Sequence, residues 1–268
     1  MNRDRLTVNC SIVFTELDLL DRPAAAAAAG FDSVEFWWPF PTANPDREQV
    51  DAFISALEDA SVSLTGLNFF AGDMAAGERG ILSSPARGVE FSQSVEVARY
   101  IAERTGCRVF NALYGVRLPD TTPTIQDNTA LERLASLASF TDETHSTIVL
   151  EPLSAMETYP LITARDAMNV ITALKASGAT TNVTLLADFY HMAVNGDDVS
   201  AVIAEFSSQI GHVQIADAPG RNEPGTGDLP LGRWLNELTA TNYAGLVGLE
   251  YKPSALSAES FGWIATTL

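Results

Sequence analysis

Four oxygen-bearing side chains stand at the ends of apolar runs in the second half of the chain. "IVLEP" presents Glu151, "LLADFYH" presents Asp188 and then His191, "HVQIAD" presents Gln214, and "GLEYKP" presents Glu250. Three carboxylates drawn into one buried cluster repel one another unless their pKa values rise or a cation neutralises them. Three carboxylates and an amide oxygen form a hard, all-oxygen set. It suits Mg²⁺ or Mn²⁺ in octahedral geometry, with water or substrate completing the shell. Zinc would draw more His or Cys, and the only histidines are His145, His191 and His212. His191, three residues after Asp188, is read as a neighbour of the metal set or a substrate contact. His212 opens a strand below the rim and reads as structural, and His145 as the exposed end of a helix. A single Glu at a strand end is more often a solvated loop residue or the partner of an arginine. Four such residues in succession point to a site.

They converge only if the runs that carry them are neighbouring strands. The apolar pattern predicts strands over 6–12, 33–37, 62–69, 108–114, 147–151, 183–189, 212–216 and 246–251. Between and after them it predicts helices over 15–29, 46–60, 85–105, 125–143, 164–177, 199–207, 231–241 and 258–267. The strand runs are almost continuously apolar, as expected when both faces of a parallel sheet are covered. Eight βα units in strict alternation predict a single (β/α)8 TIM barrel over 1–268, with a doubly wound open sheet as the alternative. No Gly-rich dinucleotide fingerprint follows the first strand, which favours the barrel. In a barrel the carboxyl ends of neighbouring strands, about 4.8 Å apart, form the rim where active sites sit.

Composition narrows the partners. The chain carries 34 acidic and 16 basic residues in 268, a net charge of −18, with 46% hydrophobic residues. Such a surface repels nucleic-acid phosphates and anionic lipids, so neither nucleic acid nor membrane is an expected partner. An anionic substrate must be held by a few local cations against this field. Cys10 and Cys107 form no CxxC pair and read as buried small apolar residues. The N-terminal "MNRDRLTVNCSIVF" lacks an apolar signal core, and no stretch approaches the length of a membrane span. The expected location is the cytoplasm. The acidic surface with exposed aromatics is compatible with a homo-oligomer.

Further segments are distinctive: "FTEL" at 14–17, "AGFDSVEF" at 29–36, "NFFAGDMAAGERG" at 68–80, "DFYHM" at 188–192, "GHVQIADAPGRNEPGTGDL" at 211–229 and "EYKP" at 250–253. With these the chain resembles, over almost its whole length, the hydroxypyruvate isomerase branch of the xylose isomerase-like TIM-barrel family. The resemblance implies a divalent metal held by Glu151, Asp188, Gln214 and Glu250. It implies that Glu151 and Glu250 double as the acid/base pair, and that His191 and Arg221 contact substrate oxygens. It implies a small hydroxy-oxo acid as substrate, converted to its aldehyde isomer through an enediolate. The substrate carboxylate calls for a cation, and Arg221 and Lys252 are the candidates nearest the rim. The loop at 69–80 is expected over the barrel mouth. Phe69 and Phe70 are read either as walls of the site or as caps of the core. Glu78 and Arg79 are expected to pair with each other or with a neighbouring subunit. One of Trp37 and Trp38 is expected to line the site. Where family members read Glu-Pro-x-Asn, this chain has Ser154; Leu186, Ala187 and Ala193 depart similarly. These changes bear on substrate, and 2-oxo-tetronates and ketoses (for 3-epimerisation on the same metal site) stand as alternatives. A DNA-repair endonuclease of the same superfamily would need a His-rich zinc site and a basic face. A non-enzymatic sugar-binding barrel would have lost a glutamate.

Overall fold

In the computed structural model, which describes residues 3–267, the strands pair in parallel and in chain order, and β1 closes on β8. Met1, Asn2 and Leu268, at the ends of the expected domain and of the N-terminal stretch, lie outside the described residues. The strands are β1 (Leu6–Asn9), β2 (Ser33–Phe36), β3 (Ser63–Asn68), β4 (Val109–Asn111), β5 (Thr147–Leu150), β6 (Val183–Asp188), β7 (Ile210–Ile215) and β8 (Val247–Leu249). The helices are α1 (Arg22–Ala28), α2 (Arg47–Asp59), α3 (Gly88–Thr105), α4 (Pro123–Ser136), α5 (Ala138–Thr144), α6 (Ala164–Ala176), α7 (Phe189–Val194), α8 (Val199–Phe206), α9 (Leu231–Ala240) and α10 (Ile264–Thr267). The closed barrel expected from the alternation is therefore present.

Local chemistry explains most boundaries. At α6, Thr163 Oγ1 accepts from the Asp166 backbone N–H, and Asp166 Oδ2 accepts from the Thr163 N–H, a reciprocal cap. The helix expected over 15–29 is shorter, because Pro23 lies at its first turn, where a residue without an N–H starts a helix. The helix expected over 125–143 is two helices, divided where Leu137 N–H bonds to Leu134 three residues back. The C-terminal helix reduces to a 3-10 turn (Ser257–Glu259) and α10. One helix, α7, is an addition to the expected set.

The core lies in two shells. Phe69 stacks on Phe110 at 5.6 Å and meets Phe140 edge-on, so it belongs to the layer between barrel and helices. Cys10 and Cys107 are buried free thiols, and burial pushes the Cys107 thiol up to about 12. His212 is buried and His145 exposed, as expected.

Candidate active site

Each strand carries a buried polar side chain at or next to its carboxyl end. Asn9, Glu35, Asn68 and Asn111 serve β1 to β4; Glu151, Asp188, Gln214 and Glu250 serve β5 to β8. All of these are buried. In the sequence only the second half stands out, because three of its four residues are carboxylates at or after the end of an apolar run. The same strand-end rule applied to "LTVN", "TGLN" and "VFN" finds Asn9, Asn68 and Asn111, but not Glu35, which precedes the last residue of "SVEF".

The two glutamates are held alike on one side. Asn111 Nδ2 donates to Glu151 Oε2 at 2.7 Å, and Asn9 Nδ2 donates to Glu250 Oε2 at 2.8 Å. Their other oxygens differ. Glu250 Oε1 accepts from Arg221 Nη2 at 2.5 Å, whereas Glu151 Oε1 is buried without a partner among the described residues. Arg221 Nη2 also lies 3.2 Å from Asp188 Oδ2, so one guanidinium bridges two carboxylates. Burial pushes the Glu151 carboxyl well above the usual range, and the charges of Glu250 and Asp188 push it further. Burial likewise pushes Glu250 up to about 8, with Arg221 pulling the other way. Burial opposes the charge on Arg221, but Glu250, Asp188 and Glu151 outweigh it and raise its pKa.

Asp188 also builds α7. Its Oδ1 caps the helix by accepting from the Tyr190 and His191 N–H groups at 2.8 and 3.3 Å. That turn carries His191 to the site. The Ser154 backbone N–H donates to His191 Nδ1 at 3.0 Å, and the Ser154 hydroxyl lies 2.7 Å from the same nitrogen. A backbone N–H can only donate, so Nδ1 is an acceptor and the ring proton sits on Nε2. Burial lowers the His191 pKa to about 4, so the ring is neutral. Glu151, Asp188 and His191 offer ligand atoms within 4.8 Å of one another. In this tautomer, however, His191 presents N–H rather than a lone pair. It is placed as a donor toward the cavity, with Nε2 3.9 Å from Glu151 Oε1 and 3.7 Å from Asp188 Oδ2.

The residues fit a hard divalent cation. Gln214 Oε1 and Glu151 Oε1 are both buried without a hydrogen-bond partner among the described residues. Leaving such atoms unpaired costs about 1–3 kcal/mol each, more for a charged group, and a bound cation would relieve it. Among Glu151, Asp188, Gln214 and Glu250 the donor atoms are all oxygen, as Mg²⁺ and Mn²⁺ prefer.

The turn-rich segment after β7 is organised by Asp217, which no motif in the sequence marks. Its carboxylate accepts from the N–H groups of Ala218, Gly225, Gly227 and Leu229 at 2.8 to 3.0 Å. Arg221 adopts a positive φ of 60° there, and its carbonyl accepts from the Lys252 N–H at 2.7 Å. These bonds bring Arg221 over the carboxylates and stack it on Tyr190, 5.3 Å from the ring centroid.

The segment after β3 supplies the opposite wall. Glu78 pairs with Arg87 and not with Arg79. Arg79 instead donates through Nη1 to the carbonyls of Met74 and Glu78, leaving Nε and Nη2 without protein partners among the described residues. Its backbone is pinned by Gly80, at φ 101°, where an added Cβ would lie 2.0 Å from the Leu113 carbonyl oxygen. Gly80→Ala is expected to cost about 2 kcal/mol or more, read as a drop in the denaturation midpoint at unchanged slope.

A cavity of about 560 Å³ opens above the rim. Of the expected site residues, Glu151, His191, Arg221, Glu250 and Lys252 line it. Asp188 and Gln214 are buried and are not among its lining residues. Phe70 also stands outside the lining; it packs edge-on to Trp38 at 6.4 Å and under Arg87. Trp37, not Trp38, lines the cavity.

A closed parallel barrel whose rim brings two glutamates, a histidine and an arginine to one cavity, with a buried aspartate against that arginine, defines a TIM-barrel protein with an acidic rim site. The chain belongs to the xylose isomerase-like TIM barrel family, which it matches over residues 23–267. It is 46% identical to a provisionally named hydroxypyruvate isomerase of Streptomyces coelicolor, across 97% of this chain and 95% of that one. It is 30% identical to the hydroxypyruvate isomerase of Escherichia coli, across 97% and 98%. It is 32% identical to the 2-oxo-tetronate isomerase of Cupriavidus necator, across 97% of each. Among the described residues, no helix is long and apolar enough to cross a membrane.

Proposed function

We infer that this chain is an isomerase of small hydroxy-oxo acids, of the hydroxypyruvate to tartronate semialdehyde type, with 2-oxo-tetronates as the neighbouring substrate class. The observation that carries the reading is the pair of buried glutamates on one cavity, each with one oxygen fixed by an asparagine amide and each with its pKa raised. Raised carboxyl groups are suited to exchanging a carbon-bound proton near neutral pH. The names of the relatives in two organisms support the same substrate class.

In this reading Glu151, Asp188, Gln214 and Glu250 hold a divalent cation, Mg²⁺ or Mn²⁺. When bound, it supplies Lewis-acid stabilisation of negative charge on the substrate oxygens. One glutamate takes the proton from the carbon beside the carbonyl and returns it to the neighbouring carbon; the other serves the hydroxyl proton. The His191 Nε2–H donates to a substrate oxygen, and Ser154 holds the ring in that tautomer. Arg221 is largely engaged by Glu250 and Asp188. The substrate carboxylate therefore falls to Arg79 and Lys252, cavity-lining cations without a carboxylate within 4.0 Å among the described residues. Arg79 is the better match, because its free Nε and Nη2 form one edge of the guanidinium fork.

The test is a panel of hydroxypyruvate, 2-oxo-tetronates and ketoses, assayed with Mg²⁺ or Mn²⁺ in D₂O. Deuterium entering the carbon beside the carbonyl of the oxo acids is the expected result. Exchange confined to ketoses would replace this reading with 3-epimerisation. Arg79→Ala is expected to raise KM for the oxo acids about tenfold or more while kcat changes little.

A further inference from the structure

We propose that Glu35 is a positioning residue whose carboxylate decides which end of the Gln214 amide faces the metal site. The proposal rests on the metal reading above and extends it to a residue outside the cavity. Glu35 comes from β2 and Gln214 from β7, with β1 and β8 between them in the barrel. Their side chains nevertheless meet: Gln214 Nε2 donates to Glu35 Oε1 at 2.7 Å. Glycines provide the passage. A Cβ at Gly248, the residue paired with Gln214, would lie 2.4 Å from Glu35 Oε1 and 2.9 Å from Gln214 Cγ. A Cβ at Gly66, the residue paired with Glu35, would lie 3.3 Å from Glu35 Oε2. The other carboxylate oxygen, Oε2, meets His212 Nε2 at 2.6 Å.

The chemistry of this trio fixes the amide. Gln214 donates through Nε2 to Glu35 Oε1, so the group of Gln214 that faces Glu35 is the NH₂. The carbonyl oxygen is then turned the other way, where it is buried and without a partner among the described residues. A freely rotating glutamine would present oxygen or nitrogen to a cation, and only oxygen can ligate it. His212 holds Glu35 from the far side, so the acceptor cannot swing away. The buried Glu35 carboxylate is otherwise unused by the proposed chemistry. A partner of this kind behind a metal ligand typically contributes about 10- to 100-fold to affinity.

Mn²⁺ binding by calorimetry tests it on the chelator-stripped full-length protein, with folding followed by thermal melts. Glu35→Met, of similar volume but without an acceptor, is expected to weaken Mn²⁺ binding by about 10- to 100-fold. A charge swap gives a second, independent reading. In Gln214→Glu alone, two carboxylates face each other across the Gly248 passage. In the Glu35→Gln/Gln214→Glu double variant, the amide introduced at position 35 donates to the carboxylate introduced at position 214 and accepts from His212. Binding is then expected to recover above the single variant. If Glu35→Met fails to fold, the swap decides alone: a double variant no tighter than Gln214→Glu overturns the proposal. A folded Glu35→Met that binds Mn²⁺ like the parent also overturns it and leaves the metal reading standing. A parent that binds no Mn²⁺ overturns both. A purely structural role for Glu35 would shift the melting temperature and leave the Mn²⁺ Kd where it was.

Discussion

Glu151→Gln is expected to slow both turnover and solvent-deuterium exchange by about 10³-fold or more, with Glu250→Gln close behind. The substitution is nearly isosteric. In Glu151→Gln the new side-chain oxygen can keep the bond from Asn111; in Glu250→Gln it can keep the bond from either Asn9 or Arg221, and the NH₂ then faces the other donor. What is lost is an oxygen able to take a proton. In the parent, Glu151 Oε1 is the free oxygen of the pair, while Glu250 Oε1 is engaged by Arg221. The Mn²⁺ Kd of each variant must be measured beside its rate, because both glutamates are also candidate ligands. A rate loss at full metal occupancy identifies proton transfer. Exchange at the parental rate in both variants would remove Glu151 and Glu250 from the acid/base role.

Chelation is expected to abolish isomerase activity and to make stability fall as pH rises. The sign follows from the raised carboxyl groups. Glu250 has a folded pKa of about 8 against an ordinary 4.5, and Glu151 is raised in the same direction. Their favourable contribution is fully present below the ordinary carboxylate pKa and is lost as pH rises toward and through 8. Deprotonating them in the metal-free cluster sets buried negative charges against one another, with only Arg221 to offset them. A divalent cation binds the deprotonated set, so it should stabilise more at pH 8 than at pH 6. At a hundredfold excess over Kd the gain is about 2.7 kcal/mol, or roughly 5 to 10 °C in Tm for a chain of this size. Melts with EDTA and with Mn²⁺ at both pH values measure this directly. An equal Mn²⁺ shift at pH 6 and pH 8 would show that these carboxyl groups do not bind the ion.

Strand order, barrel closure and half of the rim were legible because each depends on local pattern. Apolar runs of strand length alternating with longer amphipathic stretches admit few topologies. A polar residue at the end of such a run sits on the rim whatever surrounds it, which placed Glu151, Asp188, Gln214 and Glu250. The first half of the rim is harder to read because Asn9 and Asn111 carry no charge, and Glu35 sits inside "SVEF" rather than after it. Helix ends were misread where local chemistry overruled periodicity. Asp188, for instance, both ends β6 and caps α7, and that short helix is invisible to an apolar pattern.

The sequence by itself determined a parallel barrel, its acidic surface, and the set of oxygen donors along its second half. These follow from composition and periodicity, which act over a few residues. Only the tertiary structure decided how each donor is oriented and paired. The positive-φ turn at Arg221 returns its guanidinium to Glu250 and Asp188. The Ser154 N–H selects the His191 tautomer. Glu35 reaches Gln214 across two intervening strands, through space left by glycines. Each of these contacts joins residues distant in the chain through hydrogen bonds about 3 Å long, a scale on which spacing along the sequence carries no information.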